Sequence, residues 1–122
     1  MRFDEYIGMT DWGAEGPSSA RLKVEPHHCN PTGAINGGVF LSMADNVSTG
    51  AANDAYFAKT GERKFLVGVD LHAVFLANQQ GGTIVAIPEV VRAGRRVTVI
   101  RTRVVGEDGK VLAEVTTTHV PT

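Results

Sequence analysis

The sequence predicts an α+β fold, one antiparallel sheet packed on one long helix, and three observations carry that expectation. The stretch from Val39 to Ala58 is free of proline and rich in alanine. Beyond Gly61 the apolar period changes to two and keeps that value to the end of the chain. Short turn signals separate the resulting strands, and strands joined by short turns pair antiparallel and bury the apolar side of a helix.

Taken in order, Phe3 to Ile7 has helical apolar spacing, which Gly13, Gly16, Pro17, Ser18 and Ser19 interrupt. Ala20 to Glu25 then alternates as a strand, and Pro26 ends it. His27 to Asn36 carries Pro31 and Gly33 and is expected to be loop, leading into a helix opened by Gly37-Gly38 and stopped before Gly61. Phe65, Val67, Val69, Leu71, Ala73 and Phe75 alternate with Leu66, Gly68, Asp70, His72 and Val74 in the next strand. A β-branched strand follows Gly81-Gly82 from Thr83 to Arg92, Ala93-Gly94 separates it from Arg96 to Val105, and Glu107-Asp108-Gly109 turns the chain into Lys110 to Val120. The expected order is strand, helix, four strands. Pro88 removes a ladder donor, so its strand is an edge there, bulged, or split in two.

With 122 residues the chain has room for one domain, residues 1–122. A formal charge of −1 gives no field that would gather nucleic acid or anionic lipid, and 43% hydrophobic with 20% charged residues is an ordinary globular composition. Met1 to Thr10 holds Arg2, Asp4 and Glu5 and no apolar run, and about 18 consecutive apolar residues occur nowhere, so a cytoplasmic protein with no membrane or nucleic-acid partner is expected. The single cysteine, Cys29, excludes an internal disulfide and a multi-cysteine zinc site.

On a helical wheel Val39, Phe40, Leu41, Met43, Ala44, Val47, Ala51, Ala52 and Ala55 cover an arc of roughly 220°. Ser42, Asp45, Asn46, Thr49 and Asn53 form the remaining polar stripe. A solvated face is the plain interpretation. The stripe nevertheless has no Lys, Arg or Glu, which suits a partly buried surface facing a partner or a cleft. Ahead of it, Asn30 to Gly38 delivers a glycine-rich loop to a helix N-terminus, where unpaired N–H groups and the helix dipole can stabilise the oxyanion of an ester or thioester; a tight turn is the alternative use of the same glycines.

His28-Cys29-Asn30-Pro31-Thr32-Gly33-Ala34-Ile35-Asn36-Gly37-Gly38, followed by Ala44-Asp45, resembles the hotdog-fold acyl-CoA thioesterases of the phenylacetate-degradation type. Their pattern runs Asn-Pro, Gly, His-Gly-Gly and a helical Asp, and the resemblance extends over nearly the whole chain. It implies a hotdog fold, an antiparallel sheet wrapped around one long central helix. It also implies that Asp45 is nucleophile or general base, that the Gly37 N–H polarises the thioester carbonyl, and that Asn30 positions the attacking water. Asn36, Gly38 and Thr49 are further candidate substrate contacts. The sequence departs from the pattern at Asn36, where the family carries histidine, so an amide without a titrating proton must supply that hydrogen bonding.

Gly37 and Asp45 are eight positions apart, about 12 Å along a helix, too far to touch one carbonyl. Two chains related by a two-fold axis would bring Gly37 of one to Asp45 of the other, so a homodimer at least, and a dimer of dimers, is expected. Arg92, Arg95 and Arg96 can take the phosphates of coenzyme A or form a solvated turn. His27, His28 and Cys29 are poorly placed for a thiolate nucleophile or zinc site, and His72 and His119 stand alone on separate strands, so neither metal nor cofactor is expected. The expected activity is hydrolysis of an aromatic or short- to medium-chain acyl-CoA. A non-catalytic acyl-CoA binding module and an enoyl-CoA hydratase are the alternatives; the hydratase would need a histidine close to the loop Asn, and Gly33 and Asn36 occupy the downstream positions.

Overall fold

The central helix forms where alanine and the missing prolines predict it, and it is longer than its apolar pattern. In the computed structural model, which describes residues 1–122, α2 spans Gly37–Thr60, capped by Asn36 and ended by left-handed Gly61. Before it come α1 at Phe3–Ile7, β1 at Met9–Thr10 and β2 at Ala20–Lys23. After it come β3 at Leu66–Phe75, β4 at Thr83–Ala93, β5 at Thr98–Val105 and β6 at Val111–Pro121. All pairs are antiparallel, in the order β1-β2-β4-β5-β6-β3. No helix is long and apolar enough to cross a membrane.

Two elements depart from the expected order. β1 is a two-residue strand that pairs Met9 with Leu22, too short to show a period. Pro26–His28, inside the expected loop, is a 3-10 turn that ends β2 at Lys23 rather than Glu25. Pro88 has a simple place. β2 pairs with β4 only from Thr83 to Ala86, so at Pro88 the strand has a neighbour on one side alone, and its ladder to β5 continues through Thr102.

Phe40, Met43 and Val47 of α2 are buried against Leu22, Ile84, Ala86, Val104 and Leu112. Farther along the helix Ala51, Ala52 and Tyr56 meet Leu66 and Ile100. The helix lies mainly over β4 and β5, which leaves β3, the last strand of the sheet, largely uncovered.

β3 also corrects the period-two reading. The register against β6 slips between Gly68 and Asp70, leaving Val69 as the bulged residue. Directly paired residues share a face, so before the bulge Leu66 and Gly68 point inward with His119, whereas after it Leu71, Ala73 and Phe75 do so, opposite Thr117, Val115 and Ala113. The strict alternation of Val67 and Val69 with Leu71 therefore does not place them on one face.

Candidate active site

Asn36 adopts an extended conformation, and its Oδ1 accepts the Gly38 N–H at 2.8 Å, while its carbonyl accepts from the Val39 N–H at 2.9 Å. The N–H of Gly37, the first helical residue, has no acceptor within the chain. The preceding loop is fixed by its own polar groups. Asn30 Oδ1 accepts from the Thr32 N–H and hydroxyl at 2.9 and 2.6 Å, and Asn78 bonds both backbone groups of Ile35 at 2.8 and 3.0 Å. Of the expected oxyanion and substrate contacts, then, Gly38 has its donor engaged in capping, and Asn36 and Asn30 have their oxygens engaged locally. Gly37 N–H is the backbone donor left for a ligand, and the side-chain amide N–H groups of Asn30 and Asn36 also have no partner within the chain. A Cβ on Gly37 would stand 3.1 Å from the exposed Phe75 ring, close enough that the ring would have to give way slightly, which places Gly37 against the end of β3.

Asp45 lies two turns farther along the helix. Its carboxylate makes no hydrogen bond or ion pair and is exposed, contrary to the expectation of a partly buried acid, because the helix does not cover β3. The rest of the stripe is half-buried, and Asn46, Thr49 and Asn53 bond to backbone. Asn46 donates to the Ser42 carbonyl at 2.8 Å, the Thr49 hydroxyl to that of Asp45 at 2.9 Å, and Asn53 Oδ1 accepts the Leu66 N–H at 2.8 Å. Thr49, expected at the substrate, thus has its hydroxyl proton committed to the helix.

Two clefts meet at Asp45. One, of about 280 Å³, runs along the inner side of β3 past Gly68, Leu71 and Thr117. The other, of about 510 Å³, is walled by Arg2, Asp4, Trp12 and Phe65 as well as α2. The Arg2 guanidinium beside Asp4 holds its carboxyl below the usual carboxylate range. Nothing in the sequence signalled that the first twelve residues wall this cleft, since they carry no period long enough to orient them.

Beneath Asp45 the inner face of the sheet is polar. Thr98, Thr102, Thr117 and His119 are buried. His119 Nε2 lies 2.8 Å from Thr117 Oγ1 and its Nδ1 has no partner; burial pushes the imidazole below its ordinary pKa, and the Asp45 charge opposes that in part. His119 was passed over in the sequence because a lone histidine on a strand has no motif. Its inward position, alternating with Thr117 and Val115, was the available signal.

The remaining candidates separate clearly. His28 accepts the Glu25 N–H at Nδ1, 2.8 Å, and its Nε2 meets the Ile7 carbonyl at 2.7 Å, so both ring nitrogens tie the loop to α1 and neither lone pair is available to a metal. The Cys29 thiol points to the Glu25 carbonyl at 3.6 Å. Arg92, Arg95 and Arg96 are exposed and form no ion pair, at the β4–β5 turn. That turn sits at the Asp45 end of the sheet, because Ala93 pairs with Thr98, Thr98 with His119, and His119 with Gly68.

An open helix N-terminus, a free helical carboxylate and an antiparallel sheet define a hotdog domain of thioesterase type. Residues 32–113 match the thioesterase superfamily, and the chain belongs to that superfamily. It is 31% identical over 96 residues to a Mycobacterium tuberculosis protein named "Putative esterase Rv1847", covering 77% of this chain and 67% of that one. The solved structure of that protein superposes with a TM-score of 0.86 over 98% of this chain and 95% of its own, at 24% identity. BH2602 from Bacillus halodurans, solved with CoA, gives 0.81 over 96% and 73%, at 18% identity.

Proposed function

We propose that this protein hydrolyses acyl-CoA thioesters at sites shared between two copies of the chain. Asp45 of one chain is the nucleophile or general base, and the Gly37 N–H of the other receives the oxyanion. The observation that supports this best is the layout of β3. Asp45 lies by its start, 3.8 Å from the Cβ position of Gly68, and Gly37 lies against Phe75 at its end. The strand has β6 on one side and a free edge on the other. Leu71 and Phe75, facing inward, remain 41% and 54% exposed, an apolar surface that a second chain can cover. If two β3 edges pair antiparallel, the start of one strand lies beside the end of the other, and Asp45 meets the partner's Gly37.

In the general-base form, Asp45 takes a proton from water as the hydroxyl oxygen bonds to the thioester carbon, and the carbonyl oxygen becomes an anion held by the Gly37 N–H. Collapse breaks the carbon–sulfur bond, and the thiolate of coenzyme A takes up the proton. As nucleophile, the Asp45 carboxylate bonds to the thioester carbon and expels the coenzyme A thiolate, leaving an acyl anhydride that water then cleaves to the free acid and the Asp45 carboxylate. Either route consumes only water, with Asp45 activating it and the Gly37 N–H polarising the carbonyl. Arg92, Arg95 and Arg96 flank the β4–β5 turn at Ala93, about 14 Å from Gly68 at three strand spacings, and would take the phosphates of coenzyme A. The acyl group is aromatic or of short to medium length.

Exposure of Asp45 removes one objection to a module that binds acyl-CoA without cleaving it, since an exposed carboxylate carries little desolvation cost. A panel of acyl-CoA substrates followed by free-thiol release separates the two. Hydrolysis is expected for at least one acyl class, and Asp45→Asn should lower its kcat by about 10²- to 10⁴-fold. Wild-type kcat in Asp45→Asn on every hydrolysed substrate would make Asp45 structural and reject the mechanism.

A further inference from the structure

We infer that His119 is a positioning residue for Asp45, its Nδ1–H aimed across Gly68 at the carboxylate and fixing its orientation for attack. Asp45 Oδ1 and His119 Nδ1 both stand 3.8 Å from the point where a Gly68 Cβ would be, and the ring Cε1 stands 3.7 Å from it. The bulge at Val69 is what turns Gly68 inward beside His119, so the absence of a side chain at this position opens the ring to the helix. His119 is itself fully buried, and Nδ1 is its one ring nitrogen without a partner.

The tautomer is assigned from the ring's two sides, Thr117 at Nε2 and the Asp45 carboxylate toward Nδ1. Thr117 Oγ1 has one proton and two acceptors in reach, His119 Nε2 at 2.8 Å and the Ile100 carbonyl at 3.5 Å. If the hydroxyl donates to Ile100, Nε2–H donates to Oγ1 and Nδ1 is bare; if it donates to Nε2, Nδ1 carries the hydrogen. The Asp45 charge on the Nδ1 side of the ring favours this second arrangement. Nε2 then accepts, Nδ1 carries the hydrogen, and the neutral ring presents a donor toward an anionic carboxylate. Burial favours the uncharged ring, in agreement with this arrangement. Around the ring, β5 contributes uncharged Thr98 and Ile100 and β6 contributes Thr117, while α2 brings Asp45; Asp70 of β3 borders the cleft with Asp45. A donor that holds an acting group in its reactive geometry matters because a misplacement of about 1 Å can cost on the order of 100-fold in rate.

The catalytic part rests on the thioesterase mechanism above, so the test has a spectroscopic arm that does not. Long-range nitrogen–proton NMR of the whole protein should show His119 as the neutral Nδ1–H tautomer, with its Nδ1 resonance moved and its pKa lowered further in Asp45→Asn. An Nε2–H tautomer, or signals indifferent to Asp45→Asn, overturns the inference whether or not any thioester is cleaved. In kinetics, His119→Phe should lower kcat by about 10- to 100-fold with KM within about twofold. His119→Asn, whose amide nitrogen stands near the place of Nδ1, should recover most of the loss, and His119→Gln, which reaches toward Thr117 instead, should not. Gly68→Ala adds a methyl at ordinary contact distances and keeps the fold, yet it intrudes between ring and carboxylate and should lower kcat as His119→Phe does. Full kcat in folded His119→Phe and Gly68→Ala overturns the positioning role even if the NMR coupling is found.

Discussion

At the scale of single residues, backbone hydrogen bonds decide which polar groups are left for chemistry. Asn36, Thr49 and Asn53 look like ligand groups in the sequence, but each satisfies a neighbouring N–H or carbonyl; Gly37 N–H and the Asp45 carboxylate do not. His119 contributes to stability in a way that depends on pH. Its folded pKa lies below the ordinary value of about 6.5, so between the two the unfolded chain binds more protons than the native one. The His119 contribution is therefore complete above about pH 6.5 and is lost as pH falls toward the folded pKa. Urea midpoints measured from pH 7.5 to 5 should fall less steeply in His119→Asn than in the wild type; parallel curves would show that His119 does not titrate differently on folding. The residue types of the candidate site could be proposed from the sequence. Their commitments could not, because a side chain's preference for a ligand or for a nearby carbonyl depends on a few tenths of an ångström that no spacing encodes.

At the scale of elements, the strong periods held and the short or irregular elements did not. Alanine, the absence of proline and Gly61 located α2 to within two residues at each end, and the turn signals located β4, β5 and β6 nearly as well. β1 has two residues and no period to read, and the bulge in β3 inserts one residue into a period-two pattern, which exchanges the faces of everything before it. That exchange sends Leu71 and Phe75 inward to a place the helix does not reach. The dimer proposed above depends on this surface, and Leu71→Asp tests it. A charge on a half-exposed strand residue should cost the single chain little, but buried between two β3 strands it would meet its own symmetry mate. Sedimentation should show the dimer mass falling to the monomer mass with the circular dichroism spectrum unchanged. A dimer that persists would place the interface elsewhere.

At the scale of the whole molecule, the proposed mechanism makes neither half of the site usable alone. Gly37 and Asp45 are fixed to one rigid helix about 12 Å apart, and no motion within a chain brings them to one carbonyl. Two inactive variants should therefore restore each other. Asp45→Ala removes the carboxylate. Gly37→Pro removes the N–H, and the structure favours its tolerance: proline suits the first helical position, and Asn36 already has φ −64° and ψ 133°, the extended conformation required before proline. The added ring atoms would crowd Phe75, which is exposed enough to swing aside. Gly37→Ala is the control, since it brings the same Cβ but keeps the donor and should stay active. After co-refolding equal amounts, a mixed dimer has one site with both groups and one with neither, so activity should return to about one quarter of wild type for random pairing. Folded heterodimers purified through two different tags should show about half. If they show none while Gly37→Ala remains active, Gly37 and Asp45 do not serve a common site across two chains, and the pairing of β3 edges is not what assembles the active centre.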